Sequence, residues 1–260
     1  MIVELIGCTG AGKTTLAHLL REEGIESGRM VATMSDLVLD RPVLRRISNP
    51  TLMNLAQEAG GLPFLVWALR RRNEFLSFAA LTLVSRAPSV FHKANRLRGV
   101  ARRVGMYELA DRMAKGRIVL SDEGTVLLAY LFVLTDSDYD IRDVERFARL
   151  VPLPEVIVHV RAPVEVLIER AQLRSDRRRQ LGGKAPAELE RLVRRTVGVF
   201  DQLVATPPIR ERVIAVDNND DDPAGRLRLV EDLAARVRER MSAGVERRPF
   251  SQPLRSEPGA

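Results

Sequence analysis

The sequence predicts an α/β fold, a five-stranded parallel sheet covered on both faces by helices and carrying a long helical insertion. Three observations lead to it. Five short β-branched runs, at 2–6, 30–34, 117–120, 155–160 and 212–216, are separated from one another by residues with helical apolar spacing. That alternation is the pattern that builds parallel sheets. The interval from about 35 to 116 holds several helical segments and is too long for a simple crossover. Because the strand pattern resumes after it, it reads as an insertion within one domain. Composition agrees: over 260 residues, 45% are hydrophobic and 29% charged, enough to bury a sizeable core in a globular chain.

The elements follow in order. The first run has no basic leader and carries Glu4 inside its apolar stretch, which argues against a secretory signal. Leu16, Leu19 and Leu20 then form a helical stripe that Gly24 is expected to end. Pro163 and Pro186 stand where first helical turns should begin. The last helix is expected from Pro223 to about Met241, followed by a disordered, Pro-, Ser-, Arg- and Gly-rich tail over 242–260. Apolar stretches at 64–69, 75–84 and 126–134 fall well short of the roughly 20 residues that span a bilayer. A cytoplasmic protein is therefore expected. A surface-lying membrane helix at 62–85 is the alternative to a buried one. A lone cysteine, Cys8, excludes an intrachain disulfide. The excess of 41 Lys and Arg over 34 Asp and Glu, a net +7, points to an anionic partner.

Gly7, Cys8, Thr9, Gly10, Ala11, Gly12, Lys13 and Thr14 satisfy G-x-x-x-x-G-K-[ST] at every fixed position, with an apolar strand leading in and an amphipathic helix leading out. Glycines let successive backbone N–H groups turn inward around a phosphate, and the helix N-terminus adds partial positive charge. Lys13 would reach the terminal phosphates of ATP, and the Thr14 hydroxyl, followed by Thr15, would ligate Mg²⁺. A nucleotide triphosphate site is thus expected, with its use undefined. No Asn-Lys-x-Asp motif accompanies it, which excludes a guanine-reading GTPase. Asp122 and Glu123 close the third strand, at the carboxyl edge where open α/β sheets bind ligands. One acid can serve the metal and the other take a proton. The apolar run ahead of them also keeps open an ATPase that remodels a protein or nucleic acid.

At this point the chain resembles the nucleoside-monophosphate kinase superfamily, in particular its thymidylate kinase-like and deoxynucleoside kinase-like branches. The likeness covers residues 1 to about 240. It rests on the loop ending Gly10, Ala11, Gly12, Lys13, Thr14 and Thr15, and on the strand end Ser121, Asp122, Glu123 and Gly124. It rests also on Val160, Arg161, Ala162 and Pro163 followed by a helix with Arg170 and Arg174, and on the last strand ending Asp217 and Asn218. It implies a P-loop NTPase three-layer fold spanning 1–241, with the insertion at about 36–116 and an arginine-rich lid at about 170–186. It implies Asp122 at the metal or as base, lid arginines at the transferred phosphoryl group, and an adenine-side loop at Asp217 and Asn218. Thr9 stands where thymidylate kinases carry an Asp. Asp122 and Glu123 stand where they carry an Asp-Arg pair, so an acceptor-phosphate arginine is not implied at that spot.

Two basic clusters remain. From Phe75 to Tyr107 there is no acid, while Arg86, Lys93, Arg96, Arg98, Arg102 and Arg103 are all cationic. The resembling kinases bind the phosphoryl acceptor in this region, and Arg96 with Arg103, or Arg98 with Arg102, could share a helix face toward an anion. A solvated basic face is the alternative. Arg170, Arg174 and Arg178 repeat every four residues before Gly182 and Gly183, as a closing lid would. Asp36, after the second strand, is either an acid for an acceptor hydroxyl or a helix cap. His18, His92 and His159 lack metal-ligand spacing. With aromatics at 5%, a stacking nucleic-acid groove is disfavoured. The reading is an ATP- and Mg²⁺-dependent phosphotransferase acting on a small, anionic metabolite or nucleotide. A homodimer is left open.

Overall fold

The computed structural model describes residues 1–26, 31–39, 50–114, 117–134, 139–175, 185–219 and 222–246. All five expected strands form, displaced by a residue at most: β1 Ile2–Ile6, β2 Val31–Thr33, β3 Ile118–Ser121, β4 Val156–Arg161 and β5 Val213–Asp217. They make one all-parallel sheet in the order β2-β3-β1-β4-β5. β1 lies at the centre, buried on both faces, which is why its sequence is a nearly continuous apolar run. Val3 and Leu5 pack on one face, with Leu16, Leu20, Leu167, Val193 and Leu233. Ile2 and Ile6 point to the other, and alternation puts Glu4 with them.

Twelve helical segments of length four or more accompany this sheet among the described residues. Helix α1 spans Lys13–Glu26 and follows β1. Between β2 and β3 lie α2 Met34–Leu39, α3 Pro50–Arg71, α4 Asn73–Phe78, a π-helical stretch Ala79–Val84, and α5 Val90–Met113. Among the described residues this interval, the expected insertion at about 36–116, is helical apart from Arg72, the turn at 85–89 and Ala114, while 40–49 and 115–116 lie outside them. After β3 come a 3₁₀ helix Val126–Phe132 and α6 Ile141–Leu150. Helix α7 Val164–Ser175 follows β4, and α8 Pro186–Ala205 and a short α9 Pro207–Arg210 lead to β5. Helix α10 Pro223–Glu246 ends the described chain. On the α4 side the core is an aromatic stack, with Phe147 meeting Phe75 and Phe132 edge-on at 5.8 Å each.

Two helix ends differ from expectation. Gly24 does not stop α1, which continues to Glu26; it lies on the buried stripe, where a Cβ would meet Val31 Cγ2 at 2.3 Å. Close approach to β2 is therefore what that glycine permits. Helix α10 runs past Met241 to Glu246, so the first residues assigned to the tail are helical, while 247–260 lie outside the described residues. The proline-started helices are as expected: Pro163 O accepts the Leu167 amide at 3.0 Å, and Pro186 opens α8. Among the described residues no helix is long and apolar enough to cross a membrane. Of the segment 62–85, Phe75, Phe78, Ala79, Leu83 and Val84 are core residues.

Candidate functional site

The loop between β1 and α1 sits where the connections of β1 and β4 depart in opposite directions across the sheet, the place such sheets bind ligands. Gly7, Gly10 and Gly12 have φ of 135°, 89° and 92°, a region costly for any residue with a Cβ. At Gly12 there is a second reason: a Cβ would lie 2.3 Å from Asn218 Nδ2. That amide donates to Ala11 O at 2.8 Å. Asn218 is further held by its own N–H on Arg161 O at 2.8 Å, while its carbonyl accepts Arg170 at 3.2 Å. The end of β5 thus clamps the loop from outside.

Lys13 folds over the loop, its Nζ donating to Gly7 O and Cys8 O at 2.8 Å each. The Cys8 thiol is buried, and burial pushes it up to about 11. Buried thiols held in the protonated form are the less reactive kind. Thr14 Oγ1 donates to Asp122 Oδ2 at 3.1 Å, joining the start of α1 to the end of β3. Two hard oxygen donors side by side, one anionic, suit Mg²⁺, which binds few protein ligands and keeps its waters. Thr14, Thr15 and Thr9 are at least partly exposed.

The next acid, Glu123, turns the other way. Its Oε2 is 2.5 Å from Arg102 and 3.8 Å from Arg103, so consecutive residues of α5 converge on one carboxylate. Burial pulls the Arg103 guanidinium below its ordinary value; Glu123 opposes this, Arg102 reinforces it, and Glu4 opposes it. The solvent-shielded Arg103 Nε finds no acceptor among the described residues. Arg98 is exposed on the same helix.

Several expected site residues have other duties. Arg96 is buried, and its two terminal nitrogens donate to Leu83 O and Leu134 O at 2.9 Å each. It ties α5 to the π-helical stretch and the 3₁₀ end, a corrected role, because both carbonyls would lose their partner if it turned to an anion. Asp36 Oδ2 accepts Thr33 N at 2.7 Å and Thr33 Oγ1 at 2.9 Å, its own N–H donates back to Thr33 Oγ1 at 3.2 Å, and Oδ1 pairs with Arg21 at 3.1 Å. This reciprocal arrangement is a capping box in which Thr33 caps α2 and Asp36 is its third residue. Asp36 serves the start of that helix, which begins at Met34 and not after Asp36 as a cap for Leu37 onward would have it. Asp217 makes a two-pronged pair with Arg161, both bonds 2.9 Å. Asn218 holds the loop with its side chain. Arg170 lies against the loop, its Cβ 3.3 Å from where a Cβ on Gly10 would be. Arg174 belongs to α7 one turn further on; most of the predicted lid, 176–184, lies outside the described residues. Among the described residues no group of three His, Cys, Asp or Glu side chains is placed to hold a metal. His159 is buried beside Phe200, and burial first, then Arg161, drives it down to about 4.

Two site features escaped the sequence reading. Arg161 as partner of Asp217 could have been found from the parallel register of β4 and β5, which sets them opposite each other. Glu4 left a plainer signal, a lone charge inside the apolar β1 run.

The strand order, with a phosphate loop on the central strand and helices on both faces, is the P-loop three-layer α/β fold. No protein-family model and no curated protein match the chain. Among solved structures, a deoxyadenosine kinase from M. mycoides with products dCMP and a flexible dCDP bound is 14% identical; 92% of this chain and 100% of that one are covered, at a TM-score of 0.47. The same enzyme with bound dCTP is 14% identical, with 91% and 100% covered, at a TM-score of 0.43. Likeness at this level decides neither activity nor substrate.

Proposed function

We propose that the protein is an ATP- and Mg²⁺-dependent phosphotransferase acting on a small anionic metabolite or nucleotide. The observation that carries this is the convergence of the Lys13 loop, the Thr14–Asp122 contact at 3.1 Å and the Glu123–Arg102–Arg103 cluster at one strand end. The loop amides and Lys13 bind the donor phosphates. Thr14 and Asp122 would hold Mg²⁺, which when bound neutralises charge on the donor phosphates. Arg102 and Arg103 orient the anionic acceptor, and Glu123 receives the proton of its hydroxyl as the new O–P bond forms and the bond to ADP breaks. Glu123 is favoured over Asp36, whose two oxygens are occupied by Thr33 and Arg21. Arg170, beside the loop, is a lid-side cation that would stabilise the transferred charge. A cytoplasmic location, where ATP and Mg²⁺ are supplied, belongs to the same reading.

The test is a phosphoryl-acceptor screen by mass spectrometry over nucleosides, nucleotides, sugars and amino alcohols. The expected result is an acceptor heavier by one phosphoryl group with stoichiometric ADP, and at least about a hundredfold loss in Lys13→Ala with the fold intact. Free phosphate released without any modified acceptor, or full activity in Lys13→Ala, would overturn it.

A further inference from the structure

Glu4 stands in the middle of the central strand with 1% of its surface exposed. A carboxyl in such a place is expensive unless its oxygens find donors. Burial raises it to about 7, against the backbone amides of Leu127, Val126 and Thr125 and the charge of Arg103. Its Oε1 accepts the Leu127 amide at 2.8 Å. Those amides open the 3₁₀ helix Val126–Phe132, whose first turn has no side-chain cap of its own. Residue 124 is glycine, and a Cβ there would fall 2.2 Å from the Glu4 carboxyl carbon and 2.3 Å from Oε2. The turn carrying Asp122 and Glu123 is therefore pressed directly onto this carboxyl.

We propose that Glu4 is a positioning residue that fixes the 122–127 turn, keeping Asp122 at Thr14 and Glu123 at Arg102 and Arg103. A leucine or valine would suit the strand as well but could accept no amide N–H. The start of the 3₁₀ helix would then lose its acceptor, and the two acids would lose their common support. Arg103, which lies within the influence of both Glu4 and Glu123, ties the buried carboxyl to the acceptor end of the site. This builds on the function proposed above, and it makes a claim of its own about the protein without nucleotide.

The experiment has two arms. Hydrogen exchange of the nucleotide-free protein should show faster exchange in the peptide covering 122–128 for Glu4→Ala, with little change in Glu4→Gln, which still offers an acceptor oxygen. Calorimetric titration with ATP, with and without Mg²⁺, should show Mg²⁺-free binding unchanged in Glu4→Ala and the gain from Mg²⁺ reduced about 10- to 100-fold, the usual cost of losing a ligand's supporting contact. Gly124→Ala should act like Glu4→Ala in the wild-type background and add little to it, because removing the carboxyl makes room for the methyl group. This second variant keeps the test decisive if Glu4→Ala folds poorly. Unchanged exchange at 122–128, or a lowered melting temperature with the Mg²⁺ gain intact, would overturn the proposal. A wild-type protein that gains nothing from Mg²⁺ would overturn the kinase reading instead, before any variant is made.

Discussion

Asn218→Ala is the perturbation whose size can be worked most directly from the structure. Its side-chain amide donates to Ala11 O at 2.8 Å, and both residues are buried. Truncation leaves that carbonyl without its donor in a place water does not reach. An orphaned buried acceptor costs about 1–3 kcal/mol, and the lost packing of the small amide adds little. The backbone contacts of residue 218, to Arg161 O and from Arg170, persist in the variant. The damage should therefore stay local, at the middle of the phosphate loop. Urea unfolding should show stability lower by about 2 kcal/mol with the m-value unchanged. ATP binding should weaken, since a loosened loop must be ordered on binding. Making room beside Gly12 should not make Gly12→Ala tolerable, because φ there is 92°. A stability change within about 0.5 kcal/mol, the range of an ordinary surface substitution, would refute the view that Asn218 clamps the loop.

The other predictions concern pH and the division of labour among charged residues. His159 titrates near 4 in the fold against an ordinary 6.5, so its neutral ring contributes fully above pH 6.5 and that contribution is lost as pH falls toward 4; the gap between wild type and His159→Gln in urea melts should shrink by about 3 kcal/mol over that window. Glu4, raised to about 7, works in the opposite sense, favouring the fold below 4.5 and losing that effect as pH rises, so only the difference between variants is informative. Asp36→Ala should lower stability by about 1 kcal/mol, the value of a helix cap, with kcat nearly unchanged, whereas Glu123→Gln should lower kcat by about 10²-fold or more with little loss of stability; the reverse pattern would restore Asp36 as the base. Arg96→Ala should destabilise by several kcal/mol, while Arg102→Ala should chiefly raise KM for the acceptor, which steady-state kinetics beside thermal melts would separate.

The arginines of α5 show where reading the chain stops. Helical spacing pairs Arg96 with Arg103, or Arg98 with Arg102, on a common face, but periodicity names a direction and not a neighbour. In the fold, Arg102 and Arg103 reach one carboxylate although they are consecutive, because long side chains leave different faces and bend to the same point. Arg96 meets two carbonyls from segments distant in sequence. Asp36 was legible as either an acid or a cap, and its bonds to Thr33 make it the third residue of Thr33's capping box, a local motif that needed only coordinates three residues apart.

The sequence by itself determined the five strands, the helices between them and the phosphate loop. Each rests on local rules: apolar periodicity, proline at helix starts, and glycines where φ must be positive. Which acid meets Thr14, which arginines meet Glu123, and why β1 carries Glu4 were settled only in three dimensions. Those contacts join residues up to 123 positions apart, and a charge buried so deeply is tolerable only where the fold brings amide donors to it.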